Sequence, residues 1–102
     1  MLIAVACIGG EVAGTLARAE EYALFDIRAG RVVSRSHAHA DDRQERTRAR
    51  HLYDIGVEML ICGRLDRAER RALFDCGVNF ADGVGGSAEN AIARYLQGVL
   101  FD

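Results

Sequence analysis

The chain has 102 residues, of which 50% are hydrophobic and 27% are charged, and its net charge is −2. This length suits one domain with one core, and the near-neutral charge gives no overall case for binding nucleic acid or a membrane surface. No apolar run approaches the ~20 residues of a membrane-spanning helix, and the start of the chain lacks a signal-peptide pattern, so we expect a cytoplasmic protein.

The first ten residues, MLIAVACIGG, form an apolar run without polar alternation. Such a run predicts a strand that is buried on both faces at the centre of a sheet. Cys7 lies near the end of this strand, and Gly9 and Gly10 then allow a sharp turn because neither has a Cβ atom. The end of a central strand is where an α/β sheet places a ligand.

A β-hairpin is predicted next. Residues 11–21 predict a loop with at most one helical turn. Two strands follow over residues 22–27 and 31–35, joined by a turn with Gly30 in the left-handed conformation. Arginines alternate with valine and serine in the second of these strands, which indicates an edge strand with one solvated face.

The second half of the chain alternates helices and strands. Residues 36–40 predict a short loop that carries His37 and His39. Cap residues, glycines and apolar periodicity define the remaining elements. They are helices over 41–55, 65–76 and 88–96, strands over 57–62 and 78–80, a glycine loop over 83–86 and an apolar tail over 98–102.

Four arginines lie on the first predicted helix. Arg43, Arg46 and Arg50 share one face, and Arg48 extends this basic surface. A face of this kind is usually solvated, and a site for a phosphate or an acidic partner is the alternative.

The element order is therefore β-β-β-α-β-α-β-α. A meander of the first three strands followed by right-handed crossovers predicts a five-stranded mixed sheet of order 3-2-1-4-5, with helices on both faces. This order creates a switch point between the first and fourth strands, where open α/β sheets bind ligands. We predict a single α/β domain with a ligand site at the carboxyl edge of its sheet.

Several ligand-type side chains are expected at that edge. Cys7 and Cys62 end the first and fourth strands, and His37 and His39 follow the third strand, which runs parallel to the first. Sulfur and imidazole together suit thiophilic transition metals or iron–sulfur clusters, while glycine-loop amides and helix N-termini favour an anion. Each cysteine also suits a small buried hydrophobe, and the histidines also suit a solvated loop, so both readings stay open.

Short motifs recur along nearly the whole chain. In chain order they are MLIAVA at 1–6, ARA at 17–19, GVEMLICGR at 56–64, CGVNF at 76–80 and GVGGSAENAI at 83–92. Their order and spacing resemble the dinitrogenase iron–molybdenum cofactor biosynthesis family, of the NifX, NafY and NifB C-terminal type. Many members carry a histidine before the second strand, whereas this chain keeps only Arg18 and Ala19 of that motif.

The resemblance implies a ribonuclease-H-like three-layer α/β/α fold. It also implies a protein that is not an enzyme and that binds or carries an iron–molybdenum or iron–sulfur cluster, or a precursor of one. A cofactor-assembly protein is the implied partner, and a homodimer is one option. Under this hypothesis the metal ligands are Cys7, Cys62, His37 and His39, and the cofactor-binding residues are Gly9, Gly10, Arg18, Gly63, Gly85 and Gly86.

Two other functions compete with cluster binding as hypotheses. A diverged module that keeps only the fold would bind a partner through the arginine face of helix 41–55 and the apolar tail. A nuclease needs several carboxylates that converge on the sheet, but the first strand has none and Asp26 has no evident carboxylate partner. We therefore expect no enzymatic activity.

Overall fold

A computed structural model of the chain describes residues 1–40 and 45–98, with only the backbone at residues 45 and 46. Within these ranges, the strands are β1 (Leu2–Ile8), β2 (Glu11–Val12), β3 (Glu21–Arg28), β4 (Arg31–His39), β5 (Val57–Ile61) and β6 (Asn79–Ala81). The helices are α1 (Glu45–Asp54), α2 (Arg67–Cys76) and α3 (Ala88–Leu96), with a short 3₁₀ turn at Leu16–Arg18. The predicted N-cap at residues 41 and 42 and most of the predicted tail lie outside the described residues.

The sheet is mixed, and its main path runs β4-β3-β1-β5-β6. β1 pairs antiparallel with β3 and parallel with β5, so the predicted mixed α/β class is confirmed. The prediction of five strands is wrong, because the described residues form six. The additional strand is β2, which folds back on β1 through Gly9 and Gly10 and lies off the main path. Two residues between glycines and an alanine carry too little periodicity to indicate a strand.

Two apolar clusters cover the two faces of the sheet. On one face Ala4 and Ala6 of β1 belong to the cluster that includes Leu52 of α1 and Leu73 of α2. On the other face β1 belongs to the cluster that includes residues of α3. Because helices lie on both sides, successive side chains of β1 from Ile3 to Cys7 are all buried, which explains why its sequence shows no polar alternation.

β4 is longer than its sequence indicated. We predicted a strand over residues 31–35 and a loop over 36–40, but pairing with β3 continues until Glu21 lies opposite His39. β3 supplies the reason, since it is eight residues long and offers backbone partners along its whole length. His37 and His39 are therefore strand residues, and they lie on an edge of the sheet.

Arg48 corrects the predicted basic surface of the first helix. The residue is only 5% exposed, and Nη1 donates a hydrogen bond of 3.1 Å to Oε2 of Glu69 on α2. The pairing of α1 with α2 covers this position, which a helical periodicity cannot reveal. Arg50 is exposed as predicted. Arg43 and the side chain of Arg46 lie outside the described part of the chain.

None of the helices in the described ranges combines the length and apolarity that crossing a membrane requires.

Candidate functional site

The carboxyl ends of β1 and β5 lie side by side because these two strands are parallel neighbours. β4 also runs in the direction of β1, since each is antiparallel to β3. The backbone register places Cys7, Glu21 and His39 in one row across three strands. This edge is the predicted switch point, and the side chains along it form the candidate site.

Cys7 lies under this edge and is fully buried on the face covered by α3. Its Sγ donates a hydrogen bond of 3.1 Å to the carbonyl oxygen of Val5. Burial raises the pKa of the Cys7 thiol above its ordinary value. The thiol is therefore protonated at neutral pH, so a metal bound here would have to displace that proton.

Cys62 follows β5 and is also fully buried, but on the face covered by α1 and α2. Its Sγ lies 3.7 Å from the carbonyl oxygen of Ala81. Burial raises the pKa of this thiol to about 12, and the nearby carboxylates of Asp82 and Glu69 add to the shift. Cys7 and Cys62 thus share an edge but not a face, so the expected convergence of the two thiols on one rim does not occur.

His37 and His39 do come together at the end of β4. Residues two apart on a strand project from the same face, and both imidazoles are exposed. With Glu21 and Ala38 they line a small cavity of about 160 Å³. His37 Nδ1 lies 3.8 Å from Oε2 of Glu21. Over residues 1–40 and 45–98, no set of three or more His, Cys, Asp or Glu side chains is arranged to hold a metal ion.

A second cavity, of about 150 Å³, lies between β3, β4 and the start of α3, and we call it the β4–α3 groove. Its lining residues are Gly10, Glu21, Ala23, Leu24, Phe25, Arg35, Ser36, His37, Ser87, Ala88 and Glu89. Glu21 and His37 also line the first cavity, so the two cavities adjoin. Sequence reasoning placed His37 and Gly10 at the site but missed Glu21, Arg35 and Glu89.

Arg35 and Glu89 form an ion pair at the border of this groove. Arg35 donates from Nε and Nη2 to the two carboxylate oxygens of Glu89, at 3.0 and 3.1 Å. This bidentate hydrogen bond holds the pKa of Glu89 below its usual range. The guanidinium also lies 5.9 Å from the centre of the Phe25 ring. No spacing rule links two residues that lie 54 positions apart, so the sequence contains no signal for this pair.

The two glycine loops hold each other in place. Gly9 and Gly10 both adopt positive φ angles, 56° and 83°, in the tight turn between β1 and β2. The amide of Ala88 donates to the carbonyl oxygen of Gly10 at 2.9 Å, and the amide of Val12 donates to that of Gly86 at 2.8 Å. These bonds tie the Gly9–Gly10 turn to the loop of Gly85 and Gly86, and they satisfy the first amide of α3.

Gly63 and Arg18 belong to the opposite side of the same edge. A Cβ atom on Gly63 would overlap the carbonyl oxygens of Ala13 and Gly14, so this position requires glycine for close packing. Arg18 ends the 3₁₀ turn and is exposed. The structure therefore places the predicted residues in two groups, with His37, His39 and Gly10 beside the groove and Arg18 and Gly63 across the edge.

A sequence model of the family described as dinitrogenase iron-molybdenum cofactor matches residues 1–98. Among curated proteins, no sequence matches this chain.

Three solved structures are similar in fold. PH0822 aligns with a TM-score of 0.89 at 16% identity, covering 96% of this chain and 90% of its own. The apo form of the orange protein from Desulfovibrio gigas aligns with a TM-score of 0.83 at 20% identity, covering 96% and 88%. A Thermotoga protein named for NifB aligns with a TM-score of 0.76 at 23% identity, covering 96% and 89%. At these identities the likeness establishes a shared fold.

Proposed function

The chain belongs to the dinitrogenase iron-molybdenum cofactor family, and on this premise we propose that it binds and carries an iron- or molybdenum-containing sulfur cluster or a precursor of one. The cluster is cargo, and the protein performs no catalytic step on it. The observation that carries this proposal is the pair of exposed imidazoles, His37 and His39, which stand together at the carboxyl edge of the sheet beside the β4–α3 groove.

The side chains available as metal ligands determine how such cargo is bound. Imidazole is a good ligand for iron and other first-row transition metals, and both imidazoles are accessible. The thiols do not fit this role, because Cys7 and Cys62 are fully buried and their pKa values are raised. We therefore assign the metal-contacting role to His37 and His39 and a packing role to the two cysteines.

Attachment through few, exposed ligands suits a carrier. A cluster bound by two imidazoles at the surface exchanges more readily than one enclosed by four buried thiolates, because release requires no opening of the core. The apolar floor of the groove, formed by Ala23, Phe25 and Ala88, shields one side of the bound cargo from water. We further propose that the protein works in the cytoplasm and exchanges its cargo with a cofactor-assembly protein.

The nuclease hypothesis gains no support from the position of Asp26. Its carboxylate lies 3.7 Å from the N-terminal ammonium group of Met1 and 3.6 Å from Nε of Arg28. It therefore faces positive charges at the amino edge of the sheet, where it anchors the start of β1.

Anaerobic reconstitution tests the carrier function. The purified protein is incubated with iron, sulfide and tetrathiomolybdate, desalted, and examined by ultraviolet–visible absorption and metal analysis. We expect bound metal with charge-transfer bands in the wild type and in Cys7→Ala, and their loss in His37→Ala/His39→Ala. His51→Ala is the matched control, because His51 is an exposed histidine on α1. A wild-type protein that stays colourless and free of metal contradicts the proposal.

A diverged interaction module is the alternative. The burial of both thiols favours it, because a module that no longer binds a cluster has no need for accessible sulfur ligands. Its contact surface would be the arginine face of α1. Charge reversal at Arg46 and Arg50 would then abolish partner binding, while substitutions of the cysteines and histidines would have no effect.

A further inference from the structure

Three exposed arginines, Arg18, Arg64 and Arg67, lie at the carboxyl edge where β1 and β5 end. Within the described residues, none of the three forms an ion pair. Most of the other exposed arginines that the structure describes are paired with a carboxylate within 4.0 Å. These paired residues are Arg28, Arg35, Arg50, Arg70 and Arg71.

The three arginines stand on segments that are bonded to each other. The amide of Arg64 donates to the carbonyl oxygen of Gly14 at 2.8 Å, and the amide of Leu16 donates to that of Arg64 at 3.2 Å. Leu16 and Leu65 are 2% and 4% exposed and belong to the same apolar cluster. Buried leucines therefore pin both segments, and the arginine side chains extend from a rigid base.

The acidic group nearest to them in the chain is committed elsewhere. Asp66 lies between Arg64 and Arg67, but its Oδ1 accepts the amide hydrogen of Glu69 at 2.7 Å and so caps α2. Next to these two segments in the chain, the three guanidinium groups outnumber the exposed carboxylates of Asp66 and Glu20, although the net charge of the chain is −2. We call the surface of Arg18, Arg64 and Arg67 the arginine rim.

We propose that the arginine rim is a docking surface for an acidic protein partner. Its charges are spread over two segments, and neither of the two cavities at the candidate site is lined by them, which suits an extended surface better than a small ion. The net negative charge of the chain disfavours a long polyanion such as nucleic acid. The inference rests on the proposed function only for the role of the docking surface, which is to hold a partner beside the edge where cargo is exchanged.

A titration with a defined acidic probe tests the rim. The probe is a ten-residue peptide of alternating glutamate and glycine, and its glutamine counterpart is the neutral reference. Binding to the ¹⁵N-labelled protein is followed by amide chemical shifts at low salt. Surface charges interact over longer distances there, because the Debye length exceeds the value of about 8 Å that holds at physiological ionic strength. We expect shifts confined to residues 14–18 and 63–67, which disappear at high salt.

Two double variants distinguish an effect of the arginine rim from a general effect of the protein's net charge. Arg64→Glu/Arg67→Glu is expected to weaken peptide binding at least tenfold. Arg31→Glu/Arg94→Glu makes the same change of charge at two arginines that form no ion pair within the described part of the chain, and it is expected to bind like the wild type. Equal weakening by both variants overturns the proposal. So does tighter binding of a DNA oligonucleotide than of the peptide at the same amides.

Cargo uptake separates this inference from the proposed function. Arg64→Glu/Arg67→Glu is expected to take up metal like the wild type in the reconstitution assay. If uptake is lost, the rim belongs to the cargo site and the docking proposal fails, while the carrier function stands. If the wild type takes up no metal but binds the peptide through the rim, the carrier function fails and the docking surface stands.

Discussion

Cys7 and Cys62 close neighbouring parallel strands, yet their side chains lie on opposite faces of the sheet. The backbone register explains the difference. Val5 pairs with Ile61 and shares its face, so Cys7, two residues beyond Val5, keeps that face, and Cys62, one residue beyond Ile61, takes the other. A shift of one position therefore separates two thiols that the sequence pattern places together.

The burial of Cys62 predicts a specific loss of stability at high pH. The thiol's pKa is about 12 in the folded protein against an ordinary value of 9.0, so above pH 9 the unfolded chain releases a proton that the folded chain retains. The free energy of unfolding should fall by up to about 1.4 kcal/mol per pH unit above pH 9 from this group. Urea denaturation at pH 8 and pH 10.5 measures the slope. In Cys62→Ala the slope should be smaller, and an unchanged slope would contradict the assignment.

The ion pair between Arg48 and Glu69 predicts a large effect of a single substitution. Arg48→Met leaves the carboxylate of Glu69, a residue that is 5% exposed, without its charged partner, which we expect to cost about 3–5 kcal/mol of unfolding free energy. Arg50→Met is the matched control on the same helix, because the exposed pair of Arg50 with Asp54 contributes only about 0.5 kcal/mol.

A second variant shows whether the buried charge causes this loss. Glu69→Gln removes the charge but keeps a side-chain oxygen for the amide of Asp66, which Glu69 accepts at 2.9 Å. Arg48→Met/Glu69→Gln should therefore be more stable than Arg48→Met alone, as measured by urea denaturation. Equal stability of the two variants would show that lost packing, and not the uncompensated charge, dominates.

The close packing at Gly63 predicts that an added methyl group lowers stability at this position in particular. Gly63→Ala places a methyl group against backbone carbonyl oxygens of Ala13 and Gly14, which cannot rotate away, and we expect it to cost at least ~3 kcal/mol or to prevent folding. Gly14→Ala is the control, because no atom lies within 4 Å of a Cβ atom there and its φ is not positive. Circular dichroism during denaturation compares the two. Similar stability of both variants would argue against the close approach of these segments.

The pairing of Arg35 with Glu89 predicts a titration that depends on one guanidinium. The carboxyl of Glu89 should titrate below the ordinary glutamate value of 4.5 when its carbon resonance is followed by NMR, and Arg35→Gln should return it toward that value. The stabilising effect of the pair is complete at neutral pH and is lost as the pH falls below 4.5 through the lowered pKa, because protonation removes the charge. A Glu89 that titrates identically in both proteins would show that the pair does not form in solution.

Much of the fold could be predicted from local patterns. The apolar run of β1, the turn around Gly30 and the capped helices α2 and α3 each have a signal within ten residues or so, and the structure has all of them. The order and direction of these elements along the chain then predict the mixed sheet, because crossover connections have a preferred hand. Only part of the candidate site could be predicted from the sequence. His37 was placed at the correct edge, although as a loop residue, while Glu21, Arg35 and Glu89 carry no local signal.

The sequence by itself therefore determined the α/β class, the central strand and the family, because these depend on the order of local patterns along the chain. The tertiary structure alone decided that the thiols are separated, that Arg48 is buried and that the glycine loops bond to each other. These facts depend on strand register and on contacts between residues distant in the chain, where a shift of one position reverses the face of a side chain. Local periodicity in the sequence carries no information about such contacts.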